Sequence, residues 1–365
     1  MRKGTSLILA FVLLLSLGAL PFLCGHCSIF PERVTEYYEQ KAIQDALNGQ
    51  GAEAELMRLL LGGTASPQAA EPSGPAFFWY GLALAFSAAL GILCLLLFAP
   101  KEIGLQPALL WASALGVPLG LIGARLIYCA ASGGFYLLDI QNPGAMLRVW
   151  EGGLSLTGAL GFAVLAGVLA ARVCSRPIAQ VLDALTPGLL VFAAGARLSE
   201  MLIGAGFGPE ISVSLPVLTQ TVRGVSRLNT ALLMALTALA VAPLSCAKSA
   251  RPGRRFLLAA FLYGGTLLLL ESLRRDGHLL WGFVHAEQLF ALAIALPSLL
   301  ALVRPLRRFP IALGATAVLA LAIIALEFAL DRSAIGDLWL YLIYTGLVGL
   351  YLAWGYACAK RAVAL

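Results

Sequence analysis

Arg125 and Arg197 each stand in the same tetrapeptide, Gly-Ala-Arg-Leu (residues 123–126 and 195–198), inside apolar stretches of a 365-residue chain. A guanidinium in a hydrocarbon layer costs about 2.5–3.5 kcal/mol on insertion scales, so its retention there points to an anion or a buried carboxylate as partner. The planar fork of arginine matches phosphate bidentately, and the phosphate available at such depth is a phospholipid headgroup. Glu200 competes for the same cation, because it follows Arg197 at the helical i to i+3 spacing. An ion pair there is worth roughly 1–4 kcal/mol between water-like and surface-like dielectrics, comparable to one good phosphate contact. Two readings of the pair therefore stand side by side: a buried structural salt bridge, and a functional pair in which Glu200 serves as base.

Other polar residues punctuate the apolar runs. Tyr80 lies between Trp79 and Gly81 and reads either as a site residue or as an interface-belt aromatic. Glu327 is expected to face a neighbouring helix and a polar partner there. His278 and His285 fall near a helix end, where a solvated histidine is the ordinary reading. Of the 7 cysteines, Cys94, Cys129, Cys174, Cys246 and Cys358 are scattered singly. Only Cys24-Gly25-His26-Cys27 forms a motif. A redox dithiol of that spacing works between a strand and a helix, a context missing here, so a structural disulfide or bystander thiols are the expectation. No further zinc ligands lie nearby, and neither metal nor cofactor is expected.

The elements that position these residues are membrane spans. The chain is 60% hydrophobic and only 12% charged, against the roughly 25% charged residues of soluble domains. Apolar runs long enough to cross about 30 Å of hydrocarbon lie near 5–23, 78–99, 107–130, 152–172, 179–203, 229–247, 255–272, 284–303, 311–330 and 338–358, about ten spans in all. Basic residues collect in alternate connections, at Arg2/Lys3, Lys101, Arg172/Arg176, Lys248/Arg251/Arg254/Arg255, Arg304/Arg307/Arg308 and Lys360/Arg361. The positive-inside rule then places both termini in the cytoplasm. The net charge of +6 follows from topology, and no basic tract with interleaved aromatics suggests nucleic acid.

Residues 1–27 read as a retained signal anchor, with a cleaved signal peptide as the alternative, since no clean small-x-small site follows the apolar run. Pro21-Phe22-Leu23-Cys24 is also a poor lipobox, lacking small residues before the cysteine. Residues 28–76 would be extracytoplasmic and mainly acidic, with a short amphipathic helix near Ala54 to Leu61 and a linker from Thr64 to Pro75. They read as a lid or a tether.

The order of motifs across 77–303 resembles that of the prolipoprotein diacylglyceryl transferase family. Trp79-Tyr80-Gly81 is similar to the opening of its first core helix, and Gly123-Ala124-Arg125-Leu126 with Tyr128 to its Gly-Arg-Leu segment. Trp150-Glu151-Gly152-Gly153-Leu154-Ser155, then Asp183 with Pro187-Gly188, lead to Gly195-Ala196-Arg197-Leu198, resembling a signature that ends here at Gly208. Tyr263-Gly264, Glu271, Arg274 and Gln288 fit the closing pattern. The resemblance implies an all-α polytopic fold with a seven-helix core at 77–303, preceded by the anchor and outer segment and followed by two added helices at 304–365.

That resemblance also implies an activity: transfer of a diacylglyceryl group from phosphatidylglycerol to the lipobox cysteine of prolipoprotein signal peptides, in the bacterial plasma membrane. Arg197, Tyr80 and Glu200 are then the expected catalytic residues. Arg125, Arg197, Gly208, Gln288 and Thr157 are the expected lipid contacts, supported by Asp183, Glu271 and Arg274. Departures from the pattern fall on polar positions. Thr157-Gly158-Ala159 stands where the family has His-Gly-Gly, Glu200 replaces an asparagine and Ala205 a glutamate. Asn229-Thr230 replaces Tyr-Glu, and Leu267 fills the slot of an arginine four residues before Glu271. A threonine cannot act as a base near neutral pH, and one arginine fewer weakens a phosphate clamp. A relative that binds lipid or lipoprotein without turnover is the first alternative. A transporter is the second, although no internal repeat of the kind transporters show is evident.

Overall fold

A computed structural model describes residues 3–24, 78–98, 105–132, 146–147, 149, 152–211, 215, 217–222, 224–246, 251–276, 279–281, 284–303, 308–332 and 337–361. The outer segment at 28–76 with its expected amphipathic helix, Cys27, Trp150, Glu151 and His278 lie outside the described residues. Within them ten helices account for nearly all regular structure: α1 Lys3–Leu23, α2 Trp79–Phe98, α3 Leu105–Ala131, α4 Leu156–Val173, α5 Ile178–Glu200, α6 Thr230–Cys246, α7 Arg254–Ser272, α8 Ala286–Leu302, α9 Phe309–Arg332 and α10 Asp337–Arg361. Eight are long and apolar enough to cross a membrane, while α6 and α8 are apolar but have 17 residues each. At 1.5 Å per residue those two still reach about 25 Å. The chain is an all-α multi-pass membrane protein.

Lipid gives helices no hydrophobic reason to associate, so close approach of small residues does the work. α5 is the central helix. A Cβ on its Gly188 would fall 2.5 Å from the carbonyl oxygen of Gly91 in α2, and one on Gly91 would fall 2.6 Å from that of Gly188. α3 and α4 meet in the same way, Gly158 packing on the Gly123 backbone and Gly123 on the Phe162 ring. α1 leans on α2 where Gly81 leaves room for the backbone of Leu20, Pro21 and Cys24.

Asp183, near the start of α5, sits at the end of the bundle away from Arg197. Its carboxylate accepts hydrogen bonds from the backbone N–H groups of Gly253 (2.7 Å) and Phe256 (2.9 Å). It thus caps α7, whose own N-cap is Gly253 and brings no side chain. The added helices are also keyed by polar bonds. Gln288 in α8 donates to Glu327 in α9 (2.7 Å), and the Tyr344 hydroxyl of α10 donates to the Leu268 carbonyl of α7 (2.8 Å). Glu327 therefore has the interhelical polar partner expected of it.

At the Arg197 end, strands absent from the sequence reading form a small antiparallel sheet: β1 Phe207–Glu210, β2 Thr219–Val222 and β3 Val225–Asn229, in the order β1-β3-β2. Asn229 ends the sheet and caps α6, its Oδ1 accepting from the Leu232 N–H at 3.0 Å. A second pair, β4 Leu280–Trp281 and β5 Val284–His285, leads into α8. The sheet is joined to the α7 terminus by the Arg275 N–H, which donates to the Phe207 carbonyl at 2.8 Å.

Asp183→Ala is expected to lower stability by about 1–2 kcal/mol through loss of the α7 cap. Thermal unfolding of the detergent-solubilised protein measures this, and an unchanged midpoint would show the cap to be dispensable.

Candidate functional site

Arg197 closes the last turn of α5 and is only 1% exposed. One Nη donates to Glu200 at 2.8 Å, one turn along, and the other to Glu271 of α7 at 2.5 Å. Arg274, just beyond α7, lies 3.4 Å from Glu200 and 3.8 Å from Glu271, and binds Asp276 through Nη2 (2.5 Å) and Nε (3.2 Å). Asp276 also accepts the Gly206 N–H at 2.9 Å, tying the turn after α5 into the cluster. Burial works against the Arg274 charge, but Asp276, Glu200 and Glu271 overcome it and raise its pKa well above the ordinary guanidinium value. Two guanidinium groups thus face three carboxylates. The structure brings together Arg197, Glu200, Glu271 and Arg274 from the sequence-derived set, and adds Asp276.

Arg125 has a different setting. Its guanidinium donates to backbone carbonyls, to Met146 through Nε (3.0 Å) and through Nη1 to Gly152 and to Gly153 (3.2 Å). Gly152 and Gly153 have φ of 90° and 73°. A Cβ on Gly153 would strike the Tyr128 ring at 2.5 Å, so glycine is required for this turn on both conformational and steric grounds. The braced turn delivers Leu154 and Ser155 to the start of α4, and the Ser155 N–H donates to the Ala124 carbonyl at 3.1 Å.

Ser155 caps α4, accepting from the Gly158 N–H at 3.1 Å. It also donates to one carboxylate oxygen of Glu287 (2.7 Å), while Thr157 donates to the other (2.5 Å). Glu287, in the first turn of α8, is 1% exposed. The sequence reading singled out its neighbour Gln288 and missed Glu287. The signal was available, since an acid inside an apolar span is itself a reason to look for a partner.

Between α2, α3, α4 and α5, with Leu20 of α1 and the following Cys24 on one wall, runs a cavity of about 140 Å³. Its apolar end is lined by Leu95, Ala112 and Leu185, and its polar end by Tyr80, Ser155 and Glu200. The fifteen-residue step from Tyr80 to Leu95 along α2 gives the slot a length of about 22 Å. Glu200 is the member of the ion cluster that reaches the cavity wall, with Arg197 behind it. Tyr80 is buried at the polar end.

The remaining sequence-derived candidates lie elsewhere. Gln288 faces α9 and α10, bonded to Glu327, Tyr344 and the Leu268 carbonyl. Gly208 is a close-packing position in β1, where a Cβ would fall 2.8 Å from Thr230 and 2.9 Å from the Leu273 carbonyl oxygen. Asp183 caps α7 at the far end of the bundle. His285, expected to be solvated, is buried at the N-cap of α8, where its backbone N–H donates to Gln288 at 3.1 Å. Leu267 is buried at the position of the family arginine.

Comparison with known proteins agrees with the motif order. The family profile of prolipoprotein diacylglyceryl transferase matches residues 69–304. A phosphatidylglycerol–prolipoprotein diacylglyceryl transferase of Listeria welshimeri is 27% identical over 249 residues, covering 60% of this chain and 83% of that protein. Its counterpart in Listeria monocytogenes is 29% identical over 141 residues, 37% of this chain and 48% of the relative. A Mycobacterium bovis protein of the same name is 35% identical over 105 residues, 28% of this chain but only 22% of the relative's length. With the profile spanning most of the chain, and the matched region holding the ion cluster and every wall of the cavity but that of Leu20 and Cys24, this chain belongs to the prolipoprotein diacylglyceryl transferase family.

Proposed function

We propose that this chain transfers the diacylglyceryl group of phosphatidylglycerol to the cysteine of prolipoprotein signal peptides. On this reading it works in a bacterial plasma membrane with both termini cytoplasmic. The observation that carries the proposal is the cavity: a slot of acyl-chain length, apolar along its run except for Ser113, with Tyr80, Ser155 and Glu200 grouped at one end. An amphiphile whose ester region sits at the polar end presents its headgroup to the buried cluster around Arg197.

The chemistry needs a thiolate at the acceptor and stabilisation of an anionic leaving group, the glycerol phosphate. The scissile bond joins a glycerol carbon to the phosphate oxygen. Sulfur displaces that oxygen, and the bonding pair leaves with the phosphate. Cations in a water-poor site serve the departing charge far better than they would in water. Arg197 is the guanidinium behind the polar end of the slot, and its two carboxylate partners hold its fork in one orientation.

One observation favours a second reading, lipid binding without turnover. Glu200, Glu271 and Asp276 outnumber Arg197 and Arg274, so an incoming phosphate meets cations already matched by carboxylates. The two readings separate in one assay, transfer from labelled phosphatidylglycerol to a lipobox peptide by the purified protein. Transfer supports the enzyme. Retained phosphatidylglycerol with no transfer supports the binder.

Ala163→Phe, which fills the cavity from α4, is expected to cut both lipid retention and transfer by at least tenfold while leaving the helical content unchanged. Undiminished lipid retention in that variant would place the lipid elsewhere. Arg197→Ala is expected to abolish transfer, with the folded fraction followed by size-exclusion chromatography, because truncation leaves Glu200 and Glu271 buried without their common cation. Transfer at the parental rate would remove Arg197 from the site.

A further inference from the structure

Ser155, Thr157 and Glu287 form a closed group that the roles assigned so far leave unused. Glu287 is 1%, Ser155 0% and Thr157 6% exposed. Both hydroxyls lie within hydrogen-bond distance of Glu287, at 2.7 Å from Ser155 and 2.5 Å from Thr157, and they lie 2.9 Å from each other, where either can donate. The Ser155 oxygen receives the Gly158 N–H at 3.1 Å, and Ser155 lines the polar end of the cavity. The Ser155 hydroxyl thus stands between the polar end of the cavity and the Glu287 carboxylate.

Of the two carboxylates near the polar end, Glu200 is already matched by Arg197 at 2.8 Å and Arg274 at 3.4 Å. Glu287 is met by hydroxyl donors instead, in the place where the family's histidine is replaced by Thr157. We infer that Glu287, acting through the Ser155 hydroxyl, takes the proton of the acceptor thiol. The inference rests on the transfer reaction proposed above. In the step, the thiol S–H proton passes to the Ser155 oxygen as the Ser155 proton passes to Glu287. Ser155 ends neutral, Glu287 ends as the acid, and the sulfur carries the charge. The thiolate then forms the C–S bond while the C–O bond breaks, its electron pair going to the glycerol phosphate, to which the Glu287 proton is finally released. Ser155 is the group that touches the acceptor, and Glu287 is a positioning residue that acts through it.

The charged groups facing Glu287 are Arg197 from α5 and Glu271 from α7, with Ser155 and Thr157 facing it from α4. On its own helix His285 forms the N-cap, and Glu327 of α9 approaches only as far as Gln288. Arg197 and Glu271 are paired with each other.

The test is transfer from labelled phosphatidylglycerol to a lipobox peptide as a function of pH, for the parent protein, Glu287→Gln, Glu287→Asp and Ser155→Ala. Glu287→Gln keeps the volume but cannot take the proton, so its rate is expected to fall about 100-fold at neutral pH. The deficit should shrink toward alkaline pH as the peptide thiol, with its ordinary pKa of about 8.5, ionises unaided. Glu287→Asp should regain most of the rate, and phosphatidylglycerol retention should match the parent in both Glu287 variants. Ser155→Ala should show the same pH dependence, which carries the test if Glu287→Gln does not fold. A Glu287→Gln rate within about threefold of the parent, or an equal loss at every pH, overturns the inference and leaves the transferase reading standing. Absence of transfer by the parent protein overturns both.

Discussion

The buried ion pair between Arg197 and Glu271 is the constraint on which the rest of this end of the molecule depends. A guanidinium 1% exposed within a membrane bundle is tenable only with its charge matched at short range. Glu271 at 2.5 Å supplies that match from another helix, so α5 and α7 must end at the same depth and face each other there. Arg274 then matches the remaining charge of Glu200 and Glu271, and Asp276 links Arg274 to the turn at Gly206. The small sheet and the start of α6 are hung on that turn, the Thr230 hydroxyl donating to the Gly206 carbonyl at 2.6 Å. One matched charge thereby fixes two helices, a turn and a sheet.

The cavity is bounded by a different kind of contact. Glycine pairs such as Gly91 and Gly188 bring α2 and α5 together at backbone distance, while the larger lining residues keep the slot open beside that contact. Apart from Ser113, the polar side chains among the described residues that meet the slot gather at one end, where three elements converge: Tyr80 on α2, Ser155 at the α4 cap and Glu200 at the end of α5. Arg125 contributes indirectly, because its bonds to the Gly152 and Gly153 carbonyls shape the turn that presents Ser155. The bonds described for Arg125, the second arginine expected to meet a headgroup, go to the Met146, Gly152 and Gly153 carbonyls.

Much of the fold was legible in the sequence, since hydropathy is a strong signal over twenty residues. Each of the ten spans appears as a helix with ends displaced by only a few residues, as at 229–247 against Thr230–Cys246. The strands between Phe207 and Asn229 escaped because they are four or five residues long and carry no clear alternation. The pairing of Arg197 with Glu200 followed from helical spacing, whereas its closer partner Glu271 stands 74 residues away and is set by the packing of α7. Glu287 illustrates the same limit. Its hydroxyl partners are 130 and 132 residues distant, so no local pattern joins them.

The central claim is that Arg197 and Glu271 are buried as a matched pair on which the site is built. Thermal unfolding of Arg197→Gln, Glu271→Gln and the double variant in one detergent tests it most directly. Each single change leaves a buried charge without its close partner, while the double change removes both charges together. The account therefore predicts that the double variant is more stable than either single variant, with a coupling energy of about 2 kcal/mol or more. Losses that simply add would contradict it.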